Sequence, residues 1–184
     1  MPLLETKASA SAQGYGLFGA TSTSNFFLIQ QLSPSAVSTI TFSSIPSTYK
    51  HLQVRFNLVC SASGTQMKVQ FNGDTGTNYA YHNLGGSGTA TYANGGGSSQ
   101  AFIYINSNST YTTYPQVGIM DVLDYANGNK NATLKSITGI NNNTSAGTIE
   151  IDSGHWRSTA AITSLTLAIN SGTFTGTISL YGVS

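Results

Sequence analysis

The dominant pattern along the chain has a period of two. Leu52, Val54, Phe56 and Leu58 alternate with Gln53, Arg55 and Asn57. Met67, Val69 and Phe71 alternate with Gln66, Lys68 and Gln70, and Leu165, Leu167 and Ile169 with Thr166 and Ala168. Ile149 and Ile151 alternate with Thr148, Glu150 and Asp152. Such alternation sends successive side chains to opposite faces of a strand, one toward a core and one toward solvent. On this rule Ile149 and Ile151 face the core, and Glu150 and Asp152 face water. Further strands are predicted at 26–32, 37–42, 78–84, 100–106, 116–123, 132–138 and 175–182. Asn72-Gly73, Asn127-Gly128 and Ser171-Gly172 supply turn chemistry between them.

No segment sustains a 3.6-residue apolar repeat over three turns, and Gly, Thr and Ser are too dense for stable helices. Short strands without helices predict an all-β chain: a single antiparallel β-sandwich of jelly-roll type over residues 25–184. The longest linker is 85–99, GGSGTATYANGGGSS, which reads as a flexible Gly-rich loop or one shaped by a neighbour.

Residues 1–24 differ from the rest, being small and polar with five larger apolar residues: Leu3, Leu4, Tyr15, Leu17 and Phe18. Ordering 24 backbones costs about 24–48 kcal/mol at roughly 1–2 kcal/mol each. Burying five apolar side chains returns only about 10 kcal/mol. The segment is therefore expected to be an extended N-terminal arm that orders against a partner, with those five residues docking it. A plain unstructured tail is the simpler alternative.

Composition narrows the functional classes. Charged residues are 7% of the 184, and the net charge is +1. Without a basic patch, nucleic acid is not an expected partner. Low charge also gives little repulsion between copies, which suits an assembly. The single cysteine, Cys60, closes an apolar strand and is expected to be buried rather than reactive. No apolar run approaches the length of a membrane-spanning helix, and no Sec-type leader is recognised, so no membrane partner is expected.

Candidate chemistry is sparse. GYGLFG at 14–19 fits G-x-G-x-x-G, but SASAQ before it and ATSTSN after it do not make the strand-turn-helix that a dinucleotide needs. His51, His82 and His155 are far apart, so no local metal pair forms, and no cofactor or metal is expected. Glu150 and Asp152 share a face, as a glycosidase pair would, but on the side assigned to solvent. Asp121 and Asp124 would face opposite ways on one strand. Asp74, in NGDTGTN, reads as a turn cap, with a lone-carboxylate calcium ligand beside Asn78 the weaker option. No G-x-S-x-G elbow is present. An enzyme is not expected.

HWR at 155–157 is the most distinctive cluster. Trp and Arg are common in interface hot spots, and Trp also stacks on sugars, while a core Trp with Arg157 reaching to solvent is the structural reading. Together with Tyr79, Tyr81 and Tyr92, the residues His155, Trp156 and Arg157 form the candidate interface or ligand surface.

Several stretches resemble a diffuse group of tailed-bacteriophage virion proteins with a β-sandwich domain. They are ITFSSIPSTYKHLQVRF at 40–56, FNGDTGTNYAYH at 71–82, DVLDYANGNKN at 121–131, GHWRSTAAITSLTL at 154–167 and ISLYGV at 178–183, with AQGYGLFGA in the arm. The resemblance implies a virion component without catalytic residues. Its members are similar to capsid decoration (cement) proteins and to short fibre or receptor-facing proteins. The implied partners are the major capsid protein or another virion protein, and further copies of this chain as a dimer or trimer. A host glycan takes their place if the protein is a tail-fibre or baseplate tip. The implied location is the virion, on the capsid exterior ahead of the tail, after synthesis in the bacterial cytoplasm.

Overall fold

The computed structural model describes residues 25–105, 112–143 and 147–184. The expected arm at 1–24, with Leu3, Leu4, Tyr15, Leu17 and Phe18, lies outside the described residues. The described chain is all-β, without a helix among those residues. Its strands are β1 (Phe26–Leu32), β2 (Thr39–Phe42), β3 (His51–Cys60), β4 (Met67–Phe71), β5 (Tyr79–Ser87) and β6 (Ala90–Gln100). They continue as β7 (Ile103–Ile105), β8 (Gln116–Leu123), β9 (Ala132–Ile140), β10 (Thr148–Trp156), β11 (Leu165–Ile169) and β12 (Phe174–Val183).

The strands form two antiparallel sheets. The larger has eight strands in the order β1-β12-β3-β8-β9-β10-β5-β6, and the smaller has four in the order β2-β11-β4-β7. One core joins their facing sides. Leu52, Val54, Leu58, Ile178 and Leu180 from the large sheet meet Ile40, Phe42, Val69, Phe71, Leu165 and Leu167 from the small one. Each of these follows the period-two reading, because both of its neighbours in sequence point the other way. Cys60 is buried in this core, and burial pushes its thiol up to about 11.

The expected loop at 85–99 is instead most of a hairpin. β5 and β6 pair from Tyr79↔Gln100 to Ser87↔Ala90, with a bulge between Tyr79 and Tyr81. The glycines are places where rings cross. A Cβ on Gly85 would lie 2.3 Å from the Tyr92 ring, and one on Gly96 would lie 2.2 Å from the Tyr81 ring. An aromatic laid over a cross-strand glycine restores the packing that glycine lacks, which lets so Gly-rich a segment hold a ladder. Glycine density alone reads as flexibility, because the cross-strand partner of each glycine depends on a register the sequence does not display.

The small sheet has half as many strands as the large one, and the large sheet's inner face changes character along its width. Over β12 and β3 it is apolar, with Phe56 and Phe174 among the aliphatic residues. Over β9, β10 and β5 it carries buried Ser136, Thr138, Glu150, Asp152 and Asn83. β7 reaches over this part, where Gly154 leaves room for Ile103: a Cβ there would sit 2.6 Å from the Ile103 side chain.

Candidate functional site

The expectation for β10 is reversed. Glu150 and Asp152 are each 1% exposed on the inner face, while Ile149 and Ile151 are 60% and 53% exposed on the outer face. β9 and β5 agree, because Ile137 and Leu84 point outward and Ser136, Thr138 and Asn83 point inward. The period of two is intact, but the hydrophobic set lies on the side away from the molecule's own core.

Register assembles these residues into a row. Ile119 pairs with Ile137, Ile137 with Ile151, and Ile151 with Leu84. Four exposed aliphatic side chains therefore stand side by side on β8, β9, β10 and β5, across about 14 Å at roughly 4.8 Å per strand. The next row is Val117, Gly139, Ile149 and Gly86, alternating large and small. The row on the other side is Asp121, Lys135, Ser153 and His82, all polar. A groove of about 650 Å³ runs over Val117, Ile119, Ile137, Ile149 and Ile151.

The six aliphatic side chains expose roughly 600 Å², at the upper end of the largest apolar patch on an ordinary monomer. At about 25 cal/mol per Å², leaving that area in water forgoes about 15 kcal/mol. Contiguity distinguishes it from scattered exposed aliphatics, which are normal.

The patch has a polar border. The Gln53 amide donates to Asp121 Oδ1 at 2.8 Å, Arg55 Nε donates to Gln53 Oε1 at 2.7 Å, and Lys135 Nζ lies 3.5 Å from Asp121 Oδ2. Beyond it, the Arg55 guanidinium lies between the Phe26 and Tyr181 rings, at 4.9 and 4.8 Å from their centroids.

Behind the patch lies the inward polar cluster. Asn83 Nδ2 and Ser136 Oγ donate to the two Asp152 oxygens, each at 2.5 Å. The Tyr92 hydroxyl passes over Gly85 and donates to Glu150 Oε2 at 2.7 Å. Burial, and then the hydrogen bond with Glu150, push the Asp152 carboxyl up to about 8. Burial and mutual repulsion favour a proton shared by the pair, and the two carboxyls are buried side by side. Asn83 Oδ1, Thr138 Oγ1 and both polar atoms of the Gln116 amide are buried without a protein partner. A glycosidase needs its two acids open to a sugar, and at 1% exposure neither Glu150 nor Asp152 meets one.

The residues Tyr79, Tyr81, Tyr92, His155, Trp156 and Arg157 do not form one exposed surface. Tyr79 and Trp156 are core residues, stacked on each other at 6.3 Å beside Phe71. Both lie on the inner face of strands that β7 and β4 help to cover, so neither offers a contact surface. Trp156 Nε1 donates to Asp74 Oδ2 at 2.6 Å. Tyr81 is half-buried, edge-on to Tyr104 at 5.2 Å, and the Tyr92 hydroxyl is engaged by Glu150. His155 is half-buried on the outer face, and Arg157 Nη2 donates to the Thr77 carbonyl at 2.5 Å.

Asp74 is the turn cap its motif suggests. Its Oδ1 accepts the Gly76 N–H at 2.8 Å and its Oδ2 accepts the Asn78 amide at 3.0 Å. The Trp156 bond, then Asn78, holds its carboxyl below the usual range. Asp124 follows β8 at φ 49°, so it does not share a strand face with Asp121; it pairs with Lys130, which lowers its pKa.

No protein family, curated protein or solved structure matches this chain.

Proposed function

We propose that this protein is a non-catalytic structural component of a phage virion, acting as a capsid decoration (cement) protein that braces neighbouring capsomers. The observation that carries the reading is the outward aliphatic row Ile119–Ile137–Ile151–Leu84. An apolar sheet face of this extent, uncovered among the described residues, is the kind of surface that another protein surface covers. Low net charge favours the same outcome, since copies repel little. The stretches that resemble phage virion proteins supply the setting, and the N-terminal arm supplies the contact with the shell. Many weak contacts of this kind add through avidity.

The finer fold reading belongs here too. The orders β1-β12-β3-β8 and β2-β11-β4-β7 interleave as the two halves of a jelly roll do. On that view β5–β6 and β9–β10 are hairpin insertions that widen one sheet, and the aliphatic row lies largely on them. The fibre or baseplate-tip alternative has less support, because Tyr79 is buried and the Tyr92 hydroxyl is taken.

Immunogold labelling of intact particles tests the reading. Label spread over the head exterior is the expected result. Label confined to the tail tip would move the protein to the receptor-facing alternative, and particles without label would overturn the virion assignment.

A further inference from the structure

The three outer rows differ in kind, and their arrangement restricts what can cover them. One is uniformly aliphatic, one alternates large and small, and one is polar. Consider a second copy laid face to face, about 10 Å away as stacked sheets pack. A two-fold axis perpendicular to the strands would turn Asp121 and Lys135 onto Val117 and Gly139. That buries charge against an apolar row, which is costly.

A two-fold axis parallel to the strands, running between β9 and β10, does the opposite. It exchanges β8 with β5 and β9 with β10 of the other copy. Ile137 then faces Ile151, and Ile119 faces Leu84. In the alternating row Val117 faces Gly86 and Gly139 faces Ile149, so each large side chain meets a glycine. In the polar row Asp121 faces His82, and Lys135 faces Ser153. The pattern large-small-large-small is self-complementary under this operation alone.

We propose that the outer face of β8, β9, β10 and β5 is the isologous interface of a homodimer whose two-fold axis runs parallel to the strands between β9 and β10. This rests on the reading of that face as an assembly surface and names its occupant as a second copy of the chain. The roughly 600 Å² of aliphatic surface on each copy, with its polar border, reaches the size of a standard protein–protein interface. Symmetric pairing of one patch with itself is the commonest way for a soluble chain to assemble.

The glycines give a test that spares the monomer. A Cβ on Gly139 would lie 3.7 Å from the Thr148 carbonyl oxygen, and one on Gly86 would lie 3.9 Å from that of Ala90. Both are ordinary contacts, and neither glycine has a positive φ. Gly139→Val adds apolar area yet fills the hole that Ile149 of the other copy needs. Sedimentation equilibrium of the full chain should give a dimer. Gly139→Val should weaken it at least about tenfold, with the sheet signal in circular dichroism unchanged. Ile137→Lys should do the same. Mixing Ile137→Cys with Ile151→Cys protein and adding a short bis-maleimide should give more cross-link than either variant alone, the spacer bridging facing Cα atoms that at about 10 Å lie beyond direct disulfide reach.

A chain that is monomeric at high micromolar concentration overturns the proposal. So does a trimer, or a dimer indifferent to Gly139→Val. A monomer that still decorates virions would remove the dimer and leave the virion reading standing. A dimer absent from virions would do the reverse.

Discussion

Asp152→Asn tests the buried acid pair of β10 through the pH dependence of stability. The Asp152 carboxyl moves from 3.8 to about 8 on folding, through burial and the adjacent Glu150. Across that window the folded chain holds a proton that the unfolded chain has released. Stability therefore falls as pH rises, by about 1.4 kcal/mol per pH unit, and the loss is complete above about pH 8. Between pH 5 and pH 7 it amounts to about 3 kcal/mol, or roughly 6–12 °C in Tm for a domain of this size. Asn cannot ionise; its Oδ1 can still accept from Ser136, and its Nδ2 replaces the oxygen that accepts from Asn83, whose amide must turn to present its unpartnered Oδ1. The variant should lose the slope and exceed the natural protein in stability at pH 8. Asp74 and Asp124 carry lowered pKa values, so their contributions are present above about pH 4 and fade below it, outside this window. Thermal unfolding followed by circular dichroism at half-unit intervals from pH 5 to 8 reads the effect. A Tm that is flat or rises over this range, or an unchanged slope in the variant, would refute the reasoning.

Other outcomes follow from the same contacts. Asp74→Ala should cost about 1–3 kcal/mol in denaturant unfolding, because it strands the part-buried indole N–H of Trp156 while water replaces the bond to the exposed turn amide, and the fluorescence of this sole tryptophan should shift. Thr138→Val should be neutral or stabilising by up to about 1 kcal/mol, since the Thr138 hydroxyl is buried without a partner; clear destabilisation would argue for a bound water or ligand there. Gly85→Val should displace the Tyr92 ring, removing its bond to Glu150 and costing about 2–4 kcal/mol by chemical denaturation. Cys60 should resist thiol reagents in the native state and react once denatured, being buried with a raised pKa.

Much of the fold was legible in the sequence. Leu52 to Leu58, Met67 to Phe71 and Leu165 to Ile169 are buried on the predicted parity, because each lies where the two sheets face each other. The site was not legible for a related reason. Alternation separates two faces but does not say which one the molecule's own core covers, and in β10 the rule that apolar means inward selects the wrong side. Only register places Ile119, Ile137, Ile151 and Leu84 together, since they come from four strands spread over 68 residues. Register likewise places Tyr92, across from Gly85 and within reach of the buried Glu150. Trp156 shows the converse: its distinctiveness in sequence reflects core packing against Tyr79 and Asp74.

Hydroxyl-radical footprinting of the full chain, dilute and concentrated, measures most directly whether the outer sheet face is a surface made to be covered. The aliphatic row at Ile119, Ile137, Ile151 and Leu84 should be oxidised in dilute solution and protected as copies associate, while Leu28 at the far edge of the sheet stays equally reactive in both. Equal oxidation of the row and of Leu28 at every concentration would contradict the account.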